Sequence, residues 1–114
     1  MITIKQLRED TSYRYYGNRS LFLNSADMLF QKTIWDKDHK YKLYFINVWV
    51  YDFRAFPEAK ADYKFDAEIT LYQNDRICLR VMVAMDQYLT LREFEDNIKW
   101  IFDRLNCQAD MHNN

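Results

Sequence analysis

Residues 41–54, YKLYFINVWVYDFR, alternate at period two with apolar side chains on both sides. Tyr44, Ile46, Val48 and Val50 share one side; Tyr41, Leu43, Phe45, Trp49, Tyr51 and Phe53 share the other, with Asn47 among them. A strand with water on one face alternates apolar with polar, so this run predicts a central strand covered on each face. Fourteen residues at about 3.3 Å each would span roughly 46 Å, so the run is expected to bend, bulge or fray at Lys42 and Arg54. Asn47 needs partners that a dry core lacks, which assigns the Tyr44, Ile46, Val48 and Val50 side to the helix-covered face.

Two further strands follow, over 65–72 and 76–85, where Ile69 and Leu71, then Ile77, Leu79, Val81, Val83 and Met85, recur at every second position. Parity sets their register. A two-residue Asn74-Asp75 loop would send the two apolar sets to opposite faces, whereas a three-residue loop from Gln73 to Asp75 places Leu71 opposite Ile77, Ile69 opposite Leu79, and Glu68 opposite Arg80 as an ion pair. Thr70 and Cys78 then lie with that pair on the face away from the helix. Upstream, Thr3 and Gln6 form a capping box for a short helix from Ile4 to about Arg8. Residues 12–16 and 19–23 read as a hairpin around Gly17-Asn18, and 28–35 as another strand. The charged stretch 36–40 is a loop, and Pro57 makes 55–62 another.

Thr90 with Glu93 is a second capping box, with Leu89 and Phe94 as its hydrophobic staple. Leu91, Phe94, Ile98, Ile101, Phe102 and Leu105 then form one helical stripe, expected to dock on the sheet face of the 76–85 strand. Carboxylates such as Glu93, Asp96, Glu95 and Asp103 fall on its solvent side. Residues 108–114 carry no pattern and read as a loose tail. The chain is thus an α+β single domain: one antiparallel sheet, a meander of four to five strands, with an amphipathic C-terminal helix on one face.

Composition narrows the function. Of 114 residues, 49% are hydrophobic and 18% aromatic, which excludes general disorder. The apolar run 43–51 is far short of the roughly 20 residues of a membrane helix, no export signal follows Met1, and two distant cysteines, Cys78 and Cys107, make no disulfide framework; a cytoplasmic protein is expected. His39 and His112 lack the close cysteine spacing of zinc sites, so no metal or other cofactor is expected. The single glycine, Gly17, excludes P-loops, dinucleotide fingerprints and nucleophile elbows, each of which needs several. No nucleophile with a base and an orienter can be drawn, and the expectation is a non-enzyme.

Charge is uneven: residues 1–54 carry nine Lys/Arg against six Asp/Glu, and 55–114 seven against eleven, or +3 and −4 within a total of −1. An acidic C-terminal half suits a basic partner. Nine Tyr, eight Phe and three Trp exceed what one small core needs, and aromatics are enriched in interface cores. A second sheet face bearing Phe45, Trp49 and Phe53 is one candidate surface, unless the N-terminal hairpin covers it. On the helix, Trp100 lies roughly 140° from the apolar stripe, among Asp96, Asn97, Asp103 and Arg104, and should be exposed as a hot-spot anchor, unless the tail covers it or it lies flat as a packing residue.

The layout carried by YKLYFINVWVYDF, AEITLYQNDRICLRVMVAM and TLREFEDNIKWIFDRL, over about residues 41–105, resembles small bacterial toxin-immunity proteins and phage-encoded inhibitors. That resemblance implies a non-catalytic inhibitor occluding a partner protein's functional surface, the partner being a toxin or a defence or host enzyme. The alternative reading is a single-stranded nucleic-acid binder using Tyr13, Arg14, Tyr15, Tyr16 and Arg19, which interleave stacking and cationic side chains; the pI of 6.1 weighs against it. A homodimer stays open in either case.

Overall fold

The computed structural model of the chain describes residues 1–17, 22, 24–36, 42–73 and 76–112, with side chains at all of these except 36, 42, 43, 73, 102, 103 and 105–112. The elements run α1 (Ile4–Glu9), β1 (Arg14–Tyr16), β2 (Met28–Asp36), β3 (Lys42–Asp52), β4 (Tyr63–Gln73), β5 (Arg76–Ala84) and α2 (Leu91–His112). The five strands form one antiparallel sheet whose spatial order is their chain order, so the expected meander and C-terminal helix are both present.

β3 lies at the centre, paired without interruption to β2 (Phe30↔Val48, Lys32↔Ile46) and β4 (Ile46↔Ile69, Val48↔Ala67). It ends at Asp52, and the Phe53 amide donates to the Asp62 carbonyl at 2.7 Å, closing the loop that holds Pro57. The Tyr44, Ile46, Val48 and Val50 side joins the core with Phe30, Ala67, Ile69 and Leu71, and Ile2 and Leu7 of the N-terminal segment join it beside Phe94 and Ile98. Both helices therefore lie on one face. Asn47 sits on the other, where its Oδ1 accepts from Gln31 Nε2 at 2.9 Å.

The β4–β5 turn departs from expectation. Gln73 pairs with Arg76 and Tyr72 with Ile77, leaving a two-residue connection, and Leu71 then pairs with Leu79. Cys78 is the extra residue of a β-bulge. The bulge restores the parity that an odd loop would have supplied, so Ile69, Leu71, Leu79, Val81 and Val83 still share the helix face, while Ile77 turns to the other side and is 50% exposed. Glu68 pairs with Met82, and its contact with Arg80, at 4.0 Å, runs diagonally.

Residues 14–16 pair with β2 (Arg14↔Gln31, Tyr16↔Leu29), the partner seen among the described residues; most of 19–23, the expected second limb of a hairpin, lies outside them. Both caps form. Thr3 Oγ1 accepts from Gln6 N at 3.2 Å, though Gln6 Oε1 has no partner of its own, and Thr90 Oγ1 accepts from Glu93 N at 3.1 Å while Glu93 Oε2 accepts from Leu89 N at 3.1 Å. The staple is made by Tyr88, whose ring meets Phe94 edge-on at 5.4 Å; Leu89 is 67% exposed.

Leu91, Phe94 and Ile98 are buried as the stripe predicts, and the side chains of Phe102 and Leu105 lie outside the description. The helix covers the sheet face that carries Leu79, Val81 and Val83, as expected, although these three are only half-buried. It continues through His112, so residues 108–112 of the stretch expected as a tail are helical, with no Gly or Pro to interrupt them.

Candidate protein-binding face

The face away from the helices is built by the odd-numbered positions of β2 and β3 and the even-numbered positions of β4. Register places Trp49 between Leu29 and Asp66, Asn47 between Gln31 and Glu68, and Phe45 between Thr33 and Thr70. The Phe45 ring meets Tyr72 edge-on at 5.2 Å, and Trp49 meets Phe22 in the same geometry at 5.2 Å. Towards the end of β3, Tyr51 and Phe53 lie 6.5 Å apart, and Phe53 meets Phe56 at 6.1 Å. Trp35 and Met82 stand out from the same face, 56% and 60% exposed.

Four charges on this face form two pairs. Lys64 reaches Asp66 at 3.5 Å and lies over the Tyr51 ring at 5.8 Å, and Arg80 approaches Glu68. An aromatic lane along β3 is thus flanked on β4 and β5 by short-range ion pairs, the layout of an apolar interface centre with a polar rim.

The expected binding residues divide between two sides of the molecule. Phe45 and Trp49 lie on this face, open in that no described helix covers it although Phe22 rests on Trp49, and Phe53 lies just past its end, whereas Trp100 and Asp96 lie on α2, across the sheet from them; the Asp103 side chain is outside the description. Trp100 is 55% exposed, as helix geometry predicts, with the Arg104 guanidinium stacked 3.9 Å from its ring centroid. Trp35, Tyr72 and Met82 were not singled out from sequence. Only the strand register, which is non-local, brings them onto the same face as Phe45.

The five nucleic-acid candidates are also divided. Tyr13 is buried, Tyr15 stacks on Phe30 on the helix side beneath Arg8, Arg14 and Tyr16 fall on the open face, and Arg19 is outside the described residues. A Cβ at Gly17 would come within 2.8 Å of the Tyr15 ring, so the one glycine lets the chain pass that side chain.

Tyr13 belongs instead to a polar cluster under α2. Its hydroxyl donates to Glu95 Oε1 at 2.7 Å, and Lys32 Nζ lies 2.9 and 3.1 Å from the two Glu95 oxygens and over the Tyr13 ring. Burial, then the Glu95 charge, push the Tyr13 phenol well above its ordinary range. Glu95, expected on the solvent side of the helix, has a side chain only 21% exposed: it borders the Leu91, Phe94 and Ile98 stripe and turns inward to meet a lysine. Burial raises Asp10, but hydrogen bonds from the Ser12 hydroxyl and amide, with Lys32 nearby, outweigh it and hold that carboxyl low.

A cleft of about 430 Å3 at the end of the sheet is lined mainly by apolar groups of Ile2, Phe53, Tyr63, Phe65 and Met85. Among the described residues no three His, Cys, Asp or Glu side chains gather as a metal would require, and no described helix is long and apolar enough to cross a membrane. No protein-family model, curated protein or solved structure matches this chain.

Proposed function

We propose that this chain is a non-enzymatic protein-binding module of the inhibitor or immunity type, which occludes a partner protein's functional surface with the open face of its sheet. The observation that carries this reading is the placement of both helices on one face, with Trp35, Phe45, Trp49 and Tyr72 on the other. Rigid aromatic side chains on a sheet offer large contact area at small entropic cost, and the paired charges beside them give a rim that needs no neutralising partner. Trp100 with Asp96 is a second, smaller surface on α2.

The test is photocrosslinking in the native host, with a photoreactive phenylalanine analogue at position 49 or at position 100. The expected result is one specific adduct from position 49, to a protein whose activity the wild-type chain inhibits and the Phe45→Ala/Trp49→Ala variant does not. Adducts from position 100 alone would move the surface to α2. Inhibition that survives the double substitution would refute the open-face reading.

A further inference from the structure

The sheet has two unlike edges. Among the described residues, the last strand on one side is β1, three residues long, and on the other it is β5, nine residues with no described strand beyond it. Edge strands are normally blunted by Lys, Pro, bulges or a covering element, because their outward N–H and C=O groups template another strand. β5 contains neither Lys nor Pro, and its bulge at Cys78 lies near one end. From Leu79 to Ala84 the strand is regular, with Met82 60% exposed and Leu79, Val81 and Val83 half-buried. What such an edge lacks is an extended backbone with apolar side chains on one face.

We propose that the partner of this edge is the same edge of a second copy, paired antiparallel about a two-fold axis at Val81, so that two five-stranded sheets become one of ten strands. The junction adjoins the proposed binding face at Arg80 and Met82, and it leaves Phe45 and Trp49 of both copies uncovered.

The side-chain pattern selects that register. Same-face pairing allows axes at single residues. An axis at Arg80 would set Arg80 directly against its own copy, which is repulsive. An axis at Met82 would require Leu79 to pair with Met85, which lies beyond the strand and is 1% exposed in the core. The Val81 axis sets Leu79 against Val83 and Val81 against Val81, extending the helix-side core across the junction. On the open face it sets Arg80 against Met82, and it uses only residues between the bulge and the strand end.

Sedimentation equilibrium of the full chain over about 1 to 200 µM, the range in which a small interface associates, is expected to show the mass rising from 14.1 kDa towards twice that value. Met82→Lys would face Arg80 of the other copy twice and is expected to raise the dimer Kd at least about tenfold, while Met82→Glu is expected to lower it severalfold. Within one chain Met82 pairs with Glu68, so the same substitutions should move the melting temperature of dilute monomer in the opposite order, Lys above Glu, which separates docking from folding. A single 14.1 kDa species throughout would overturn the proposal. So would a dimer indifferent to residue 82, or one weakened by both charges.

Discussion

On the helix side of the sheet Phe30, Ile46, Val48, Val50, Ala67 and Ile69 have no exposed surface, while on the other side Trp35, Trp49, Phe45 and Met82, borne by the same or adjoining strands, keep part of theirs. Side-chain size does not separate the two, since the open face has the larger rings. The difference lies in the neighbours. The helix side is closed by aliphatic rows under Phe94 and Ile98, and Glu95 on that side is engaged by both Tyr13 and Lys32. On the open side aromatic rings are interleaved with amides and ion pairs, which stay favourable when wet. Substitutions on the first face should therefore register as stability, and on the second as affinity.

The strongest test of that division is Phe94→Ala, which removes a fully buried ring touching Tyr88 and should cost about 3–5 kcal/mol in denaturant unfolding. A cost under about 1 kcal/mol would mean that α2 is not what closes the core. Next is Glu95→Ala, expected to cost about 2 kcal/mol because Lys32 is left one-fifth exposed without its counter-ion. Adding Lys32→Met should recover part of the loss, and strictly additive costs in the double-mutant cycle would show that the pair is not coupled.

The third test uses pH. Because Tyr13 holds its proton more tightly folded than unfolded, its contribution is complete below the ordinary phenol value of 10.0 and drains away as pH rises above it. The slope should be about 1.4 kcal/mol per pH unit and should be removed by Tyr13→Phe. An unchanged alkaline slope in that variant would assign the loss to other groups.

Smallest in stability are the tryptophans outside the helix-covered core, Trp49 half-buried and Trp100 exposed. Trp49→Ala, whose ring rests on Phe22, should cost about 1 kcal/mol or less in unfolding yet weaken partner binding by at least about 2 kcal/mol, and Trp100→Ala should leave melting within a degree or so. The reverse pattern of affinities would place the hot spot on α2.

What could be read in advance was what neighbouring residues decide among themselves. Thr3 with Gln6 and Thr90 with Glu93 mark helix starts whose capping acceptors form, and the alternation of 41–54 marks the central strand and the side of it that meets the helix. What escaped depends on distant residues. Cys78 is bulged because the two-residue turn and the burial of Leu71 conflict, a competition that parity alone resolves in two ways. Tyr88 displaces Leu89 as the staple because the chain enters α2 from buried Met85, and Glu95 turns inward because Lys32, 63 positions earlier, arrives beneath it. For the candidate face, the β3 aromatics were legible from alternation, but Trp35, Tyr72 and Met82 depend on register.

The strand order also bears on how the chain reaches its structure during synthesis. Because every ladder joins strands consecutive in the chain, the sheet can zip by successive hairpins with little loop entropy to overcome, a topology that favours rapid folding. Its cover comes later: Phe94 and Ile98 emerge from the ribosome only after β5, so a nascent sheet complete through Ala84 has most of its aliphatic face still wet. In that interval the counter-ion of Lys32 has not yet been made, and the chain passes through a stage in which its strands are formed while the face that will become its core is the one most open to other proteins.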